Sequence, residues 1–259
     1  MALKAMEHLT LEDQMQHIWD VEEVKQLMHK RVFLQTSDQR QEELDTLWVK
    51  APELQKTASF GSNWGYYVGM EAISGYYVTV HNAALETQRQ ENGADRQNLG
   101  NLYAHPLTTG LVEVAQDGKT AKGLWYSIGH EAKALPDGTA QVQWMLGKVA
   151  ADFVREEDGW KIWHIVISTD VDCEAGHDYG EYPVYVDWSS ASDNPVRKEF
   201  GTPTVEMLTH DVTFNWWDDY PAMPPKNYQT FTDEISYGPE GYRPPAVVGM
   251  RAGEGRNYK

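Results

Sequence analysis

The sequence predicts an α+β fold in which helices come first along the chain and an antiparallel sheet follows. Apolar residues recur at helical spacing as far as about residue 87, and the pattern changes to alternation between residues 102 and 167. Three Asp-Gly pairs, beginning at Asp117, Asp137 and Asp158, separate the alternating runs. Because an Asp-Gly pair between such runs is a strong hairpin signal, three in succession predict a meander packed on the helices.

Two helices in tandem are predicted to open the fold. Thr10 is an N-cap candidate for a first helix over residues 10–30, whose apolar side chains recur at helical spacing. We expect this helix to break near Asp20. A second helix over residues 40–48 has Leu44, Leu47 and Trp48 as its apolar side.

A third helix is predicted over residues 70–87. The preceding segment SFGSNWGYYVG, residues 59–69, is rich in glycine and aromatic residues and predicts a loop with a short strand. On the third helix Tyr77 and His81 are four residues apart, so their side chains share a face.

Four strands are predicted over residues 102–114, 120–128, 140–154 and 160–167. If the last strand alternates regularly, Trp160, Ile162, His164 and Val166 face the same way. Burying an imidazole without a partner costs on the order of a few kcal/mol. His164 is therefore expected either to be hydrogen-bonded in a core or to line a cavity that uses it.

The chain is predicted to divide into a domain of residues 1–169 and an extended, irregular C-terminal tail of residues 170–259. The tail is rich in proline, tryptophan and tyrosine and has no clear periodicity. We expect it to wrap the first domain or a neighbouring subunit, and a small all-β domain is the alternative.

Composition and charge limit the classes of partner. The 259 residues include 22 Lys and Arg against 39 Asp and Glu, a net charge of −17 that disfavours nucleic acid and anionic membrane surfaces. No apolar run approaches the roughly 20 residues of a membrane span, and Cys173 is the single cysteine. We expect a cytoplasmic protein without a disulfide. The 10 Trp and 14 Tyr against 6 Phe suit a cavity for a flat ligand, although amphipathic core and rim positions explain them equally well.

Several local patterns, taken in order, resemble the SnoaL-like branch of the nuclear transport factor 2-like superfamily. They are the helical EEVKQLMHKRVF and EELDTLW, then YYVGMEAISGYY, LYAHPLTTGLVEVAQDGKTAKGLWY and the closing GKVAADFVREEDGWKIWHIVI. The resemblance implies a cone-shaped α+β barrel, with N-terminal helices packed on a curved antiparallel sheet around a deep pocket, usually in a dimer or larger oligomer. Members include cofactor-free dehydratases, ketosteroid isomerases, polyketide cyclases, epoxide hydrolases, lyases of lignin-derived aromatic dimers and binding proteins, so the fold alone names no reaction.

The resemblance implies a catalytic role for His105, which corresponds to the histidine that many SnoaL-like enzymes use as general base or acid. An imidazole can take and return a proton near neutral pH, although a structurally bonded histidine at a strand start is the alternative. The first-helix Tyr and Asp of several dehydratases are replaced here by Arg31 or Val32 and by residues 36–38. Asp38 would take the place of the catalytic Asp only if the alignment with those dehydratases shifts in register.

Other polar residues are candidates for the same pocket. His164 would share acid and base roles with His105 if its face is the concave one. Tyr126 could donate a hydrogen bond to a developing oxyanion. Arg31 and His81 could bind a phenolate or carboxylate, and structural or solvated positions explain each of these residues as well. The candidates for substrate binding, with His81, are Tyr103, Tyr77, Trp64, Tyr66, Trp144 and Trp160.

No cofactor or metal is predicted. The acidic run of residues 170–181 matches no calcium-loop or zinc-ligand spacing, and the chain has no nucleotide-binding glycine loop, nucleophile elbow or paired-cysteine motif.

The sequence therefore favours a cofactor-independent lyase that eliminates water or a small carbonyl fragment from a hydroxylated aromatic or polycyclic substrate. In this hypothesis His105 moves the proton, and His164 with Tyr126 polarises or protonates the departing oxygen. The expected partners are that small molecule and further copies of the chain, in a dimer or trimer. An isomerase, a polyketide cyclase or a non-catalytic protein that binds a hydrophobic small molecule are the alternatives.

Overall fold

The N-terminal helices precede the long strands of the sheet along the chain and pack against one of its faces, as the sequence predicts. The computed structural model describes residues 10–62, 65–92, 101–176, 195–206 and 224–241. In this part of the chain an open, curved sheet of eight strands carries the N-terminal helices, which confirms the α+β prediction.

The first helix, α1 (Leu11–Thr36), runs without a break. Its start is a capping box, because the Thr10 side chain accepts the Asp13 N–H at 3.1 Å and the Asp13 carboxylate accepts the Thr10 N–H at 3.2 Å. The predicted break near Asp20 is wrong, because the helix is continuous through this residue. The buried Asp20 carboxylate forms an ion pair with Arg155. Among the described helices, none is long and apolar enough to cross a membrane.

The remaining N-terminal elements follow closely on one another. The segment predicted as a loop with a short strand forms a β-hairpin instead. The predicted third helix is present, but a π-helical segment replaces regular α-helix in its middle. The elements are α2 (Arg40–Leu47), α3 (Pro52–Thr57), β1 (Ser59–Ser62), β2 (Gly65–Val68), α4 (Met70–Ser74), the π-helix (Gly75–Val80) and α5 (His81–Asn92).

The predicted meander is present, and consecutive long strands pair antiparallel across the Asp-Gly turns. The first predicted strand is interrupted between residues 104 and 107, where Pro106 lies. The strands are β3 (Leu102–Ala104), β4 (Leu107–Val114), β5 (Thr120–Ala134), β6 (Ala140–Glu156) and β7 (Gly159–Glu174).

The sheet is mixed rather than wholly antiparallel. Its strand order is β3-β5-β6-β7-β1-β2-β8, with β4 also paired to β5, and β8 is the short strand Val205–Glu206. The predicted sheet is antiparallel throughout, whereas β1 lies parallel to β7.

A β-bulge in β7 changes which side chains share a face. Asp152 of β6 lies opposite His164, whereas the next residue, Phe153, lies opposite Ile162, so Trp163 has no partner in β6. Successive residues of β6 face opposite ways, and the residue of β7 that lies opposite each of them faces the same way as its partner. Ile162 and His164 therefore lie on opposite faces, and the predicted common face is wrong.

The two faces of the sheet have separate cores. On the inner face, defined as the face covered by the helices, Phe153, Ile162 and Ile165 pack with Val24 and Met28 of α1. On the outer face the buried apolar cluster consists of Tyr66, Leu124, Ala150, Val166 and Tyr237.

Residues 224–241, which we call the strap, cross the outer face. Tyr228 and Gln229 accept backbone hydrogen bonds from Gln116 and Asp117 at the β4–β5 turn. The strap includes a 3₁₀-helix (Asp233–Ile235), and a further helix, α6 (Pro195–Phe200), precedes β8. The division of the chain at residue 170 stays a prediction, and β7 itself continues through that position.

A buried ion pair ties α1 to α2. Arg31 Nε lies 3.1 Å from Glu43 Oε1, and both side chains are buried. The Glu43 carboxylate also accepts hydrogen bonds from Tyr77 Oη at 2.8 Å and Trp48 Nε1 at 3.3 Å. One carboxylate therefore joins α1, α2 and the π-helix.

Replacing Arg31 with Met leaves the Glu43 charge buried without its cation. We expect the free energy of unfolding to fall by about 3–5 kcal/mol, measured by urea denaturation. Lys30→Met, on the exposed side of the same helix, is the control and should change it by about 0.5 kcal/mol or less. Equal stability of the two variants would contradict a structural role for this pair.

Candidate active site

The C-terminal end of α1 presents a carboxylate in an unusual backbone position. Gln39 N–H donates to Leu34 O at 2.8 Å and Asp38 N–H to Gln35 O at 3.1 Å, which is a Schellman motif. The position that is usually glycine in this motif is Asp38, with a φ of 57° in the left-handed region. Its carboxylate is hydrogen-bonded to His81 Nε2 at 2.6 Å.

His81 begins α5, directly after the π-helix. A π-helical turn is rare and occurs often at functional sites. Burial lowers the pKa of His81, the charge of Arg40 lowers it further, and Asp38 and Glu131 oppose this shift. The imidazole is therefore held towards its neutral form despite its carboxylate partner.

A second histidine–carboxylate pair lies between β3 and β5. His105 Nε2 is 2.7 Å from Glu131 Oε1, and Glu131 lies opposite Tyr103 in the strand register. A Cβ atom at Gly129 would lie 2.7 Å from the His105 ring, so glycine leaves room for the imidazole there.

Tyr103 connects the two pairs. Its ring meets the His81 ring edge-on, with 5.6 Å between centroids. Burial raises the pKa of Tyr103, and the Glu131 charge raises it further. Asp38, His81, Tyr103, His105 and Glu131 thus form one contiguous group, which we call the two-histidine cluster.

The two-histidine cluster belongs to the inner face. On β5, Glu131 follows Trp125 at an even spacing, and Trp125 is part of the core beneath the helices. Arg40 lies beside the cluster, with its guanidinium carbon 4.6 Å from the centre of the Tyr77 ring.

A second polar group lies on the outer face. Lys122, Asp152 and His164 are neighbours across β5, β6 and β7. Asp152 accepts from Lys122 Nζ at 2.5 Å and meets His164 Nδ1 at 3.0 Å. The strap adds Ser236 Oγ at 3.2 Å and the Tyr237 N–H at 2.6 Å, both donating to Asp152. These five residues are the outer-face network.

Asp152 is the anion of this network. Burial alone would raise its pKa, but the Lys122 ammonium and His164 hold the pKa of Asp152 below its usual range. Ser236 Oγ lies 3.2 Å from His164 Nδ1, the same ring nitrogen that meets Asp152. A Ser-His-Asp triad needs serine and aspartate on different ring nitrogens, so this arrangement is not one.

The comparison with protein families agrees with the fold. Residues 16–166, more than half of the chain, match the SnoaL-like domain. The chain belongs to the SnoaL-like domain family. This SnoaL-like protein gives no match in a comparison with curated protein sequences.

Solved structures similar to this SnoaL-like chain share little sequence with it. An NTF2-like protein with a cystatin-like fold from Novosphingobium aromaticivorans is 19% identical, with 63% of this chain and 91% of the other covered and a TM-score of 0.44. A protein proposed to be an NTF2-like dehydratase from Streptomyces avermitilis is 19% identical, with 59% and 97% covered and a TM-score of 0.44. A type 2 hexachlorocyclohexane dehydrochlorinase is 13% identical, with 65% and 95% covered and a TM-score of 0.42.

The structure brings together three of the predicted site residues, His81, Tyr103 and His105. The expectation that His105 and His164 share one pocket is wrong, because the bulge turns His164 to the outer face beneath the strap. Sequence reasoning missed Glu131 as the partner of His105. No hairpin links β3 to β5, so no turn signal could have indicated their register.

Several other predicted residues lie away from the two-histidine cluster. Tyr126, 40% exposed, and Trp144, 44% exposed, are on the outer face of the sheet. Tyr66 is buried there and donates from Oη to Tyr237 O at 3.1 Å. They line no common pocket with His105.

Three further predicted residues are buried on the inner side of the sheet, and a fourth lies outside the described residues. Trp160 is buried in that core, with the Arg155 guanidinium 4.8 Å from its ring. Arg31 and Tyr77 both contact Glu43. Trp64 lies outside the described residues.

A cleft of about 740 Å³ lies between α3, β2 and residues 199–204, and no predicted site residue lines it. Within the described ranges, no group of three or more His, Cys, Asp or Glu side chains is placed to hold a metal ion.

Replacing Asp152 with Asn leaves the Lys122 charge buried without its counter-ion and weakens the strap. We expect the free energy of unfolding to fall by about 3–5 kcal/mol, and protease cleavage within residues 224–241 to become faster. Denaturation and limited proteolysis measure the two effects. Asp158→Asn removes a largely exposed carboxylate, which pairs with Lys161, and is the control that should lower stability much less.

The same carboxylate predicts a dependence of stability on pH. The folded-state pKa of Asp152 lies below the unfolded value of about 3.9. Its contribution is therefore complete above that value and is lost as the pH falls through the folded-state pKa. A difference in stability between wild type and Asp152→Asn that did not shrink in acid would contradict this assignment.

Proposed function

We propose that this SnoaL-like protein is a cofactor-independent lyase that eliminates water or a small carbonyl fragment, such as formaldehyde, from a hydroxylated aromatic or polycyclic substrate. The observation that carries the proposal is the two-histidine cluster. Each imidazole is hydrogen-bonded through Nε2 to a carboxylate, and Tyr103 lies between them. An elimination needs one group to remove a proton and a second to deliver one.

The roles follow from the environment of each group. His81, whose pKa is lowered chiefly by burial, is the base, and Asp38 orients its ring. His105, oriented by Glu131, then delivers a proton to the departing oxygen. Tyr103 keeps its proton because its pKa is raised, and it donates a hydrogen bond to a developing oxyanion. It takes the role that the sequence suggested for Tyr126.

A para-hydroxyphenyl substrate with a benzylic hydroxyl shows how atoms and charges balance. His81 takes the phenolic proton, and the electron pair of that oxygen moves through the ring. The benzylic C–O bond breaks, the departing oxygen takes a proton from His105, and the products are water and a quinone methide. The ring serves as the electron source and sink, so this step needs no further redox partner.

We expect His105→Ala and His81→Ala each to reduce turnover by about 10²-fold or more. The assay incubates the protein with phenolic dimers that carry a benzylic hydroxyl, with sterols and with polyketides, and follows loss of water or formaldehyde by mass spectrometry. His130→Ala is the control, because His130 stacks on Trp144 at the outer face. Binding of these compounds without any turnover by wild type would favour the non-catalytic alternative.

The pH dependence of kcat/KM tests the role of His81. Protonation of a base abolishes its function, so activity falls as the pH decreases through the pKa of His81. Because that pKa is lowered, the acid limb lies below about pH 6.5. Asp38→Asn removes a charge that raises this pKa, so it should lower kcat and move the limb to lower pH. A limb that moves to higher pH in Asp38→Asn would contradict the assignment.

A further inference from the structure

Arg40 presents a cation beside the two-histidine cluster, and it has no ion-pair partner among the residues that the structure describes. Its Nη1 donates to Tyr77 O at 3.3 Å, and its guanidinium lies over the Tyr77 ring. Within the ranges that the structure describes, no carboxylate oxygen lies within 4.0 Å of it. Its Nε is buried and has no hydrogen-bond acceptor among those residues.

The carboxylates of the two-histidine cluster are already engaged. Asp38 is bonded to His81 and Glu131 to His105, so neither neutralises the guanidinium by direct contact. Arg40 nevertheless lies close enough to lower the pKa values of His81 and Tyr103. A partly buried cation with a free N–H is costly until an anion binds to it. The position therefore suits an anionic group that arrives with a ligand.

The surroundings of Arg40 are aromatic. The guanidinium stacks on the ring of the buried Tyr77, and the partly exposed rings of Tyr103 and His81 meet edge-on. Aromatic neighbours favour a flat ring, and a guanidinium can donate to an oxygen on that ring while stacking on another.

We propose that Arg40 binds the ionised oxygen of a phenol, and that phenols are the substrate class of this site. This inference rests on the proposed lyase function and deepens it. A phenolate oxygen held by Arg40 lies next to His81, which takes the phenolic proton. The bound anion is also the form of the ring that expels a benzylic hydroxyl.

The test uses 4-nitrophenol, whose ionised form absorbs visible light and which has no group to eliminate. At a pH below the pKa of free nitrophenol, wild type should bind it and show the phenolate absorption band. Arg40→Gln should lose the band and weaken binding about 10- to 100-fold, the range expected for a charge-assisted hydrogen bond. Arg40→Lys keeps the charge and should retain part of the band, which also guards against a folding defect in the glutamine variant.

Two controls separate this inference from general effects. Arg89→Gln removes an arginine that pairs with Glu86 on the exposed side of α5, and it should leave the band unchanged. The uncharged ether 4-nitroanisole should bind wild type and Arg40→Gln equally. No phenolate band in wild type, or an undiminished band in Arg40→Gln, would overturn the assignment, as would tighter binding of benzoate than of nitrophenol.

The nitrophenol band and the turnover assay distinguish failure of the phenol site from failure of the proposed lyase function. His105→Ala should keep the nitrophenol band even where it abolishes turnover. Loss of turnover in that variant with no effect of Arg40 on the band would reject phenolate binding and leave the proposed lyase standing. A band that depends on Arg40 without turnover of any phenolic dimer would reject the lyase and retain the phenol site.

Discussion

The pairing of β6 with β7, with its one-residue bulge at Trp163, sets the arrangement of polar groups in this protein. The bulge exchanges the faces of the residues before and after it, and a second register shift follows where Leu146 and Gly147 pair with β7. Ile162 therefore completes the core under the helices, and His164 joins Asp152 on the outer face. Without the extra residue, Ile162 and His164 would lie on the same face, and one of these two placements would be lost.

The two faces then use the same residue types for different purposes. On the outer face one carboxylate, Asp152, receives Lys122, His164 and two donors of the strap, with almost no access of water. Such a network holds a chain segment in a single position, because every donor needs the same buried anion. In the two-histidine cluster of the inner face, Asp38 and Glu131 each bind one histidine, and both imidazoles stay partly accessible to solvent. Accessible, oriented imidazoles suit proton transfer, whereas fully enclosed ones suit structure.

The inner cluster depends on strained and close-packed backbone. Asp38 occupies a left-handed position where glycine is usual, and this conformation aims its carboxylate at His81. Gly129 leaves the space that the His105 ring fills. The π-helix before His81 is a second irregularity of the backbone beside the cluster. Irregular backbone gathered around a group of titratable side chains is the pattern of a functional site.

The sequence by itself determined the order of helices and strands, the Asp-Gly hairpins and the family, because these depend on local periodicity and turn chemistry. It also indicated His105, His81 and Tyr103 as candidate site residues. Only the tertiary structure decided which of them meet. The β3–β5 register that brings Glu131 to His105, the helix end that brings Asp38 to His81, and the bulge that removes His164 are each set by packing between distant segments. A single inserted residue reverses a strand's faces without leaving a distinctive local pattern, so alternation alone could not show that His164 and His105 lie on opposite sides of the sheet.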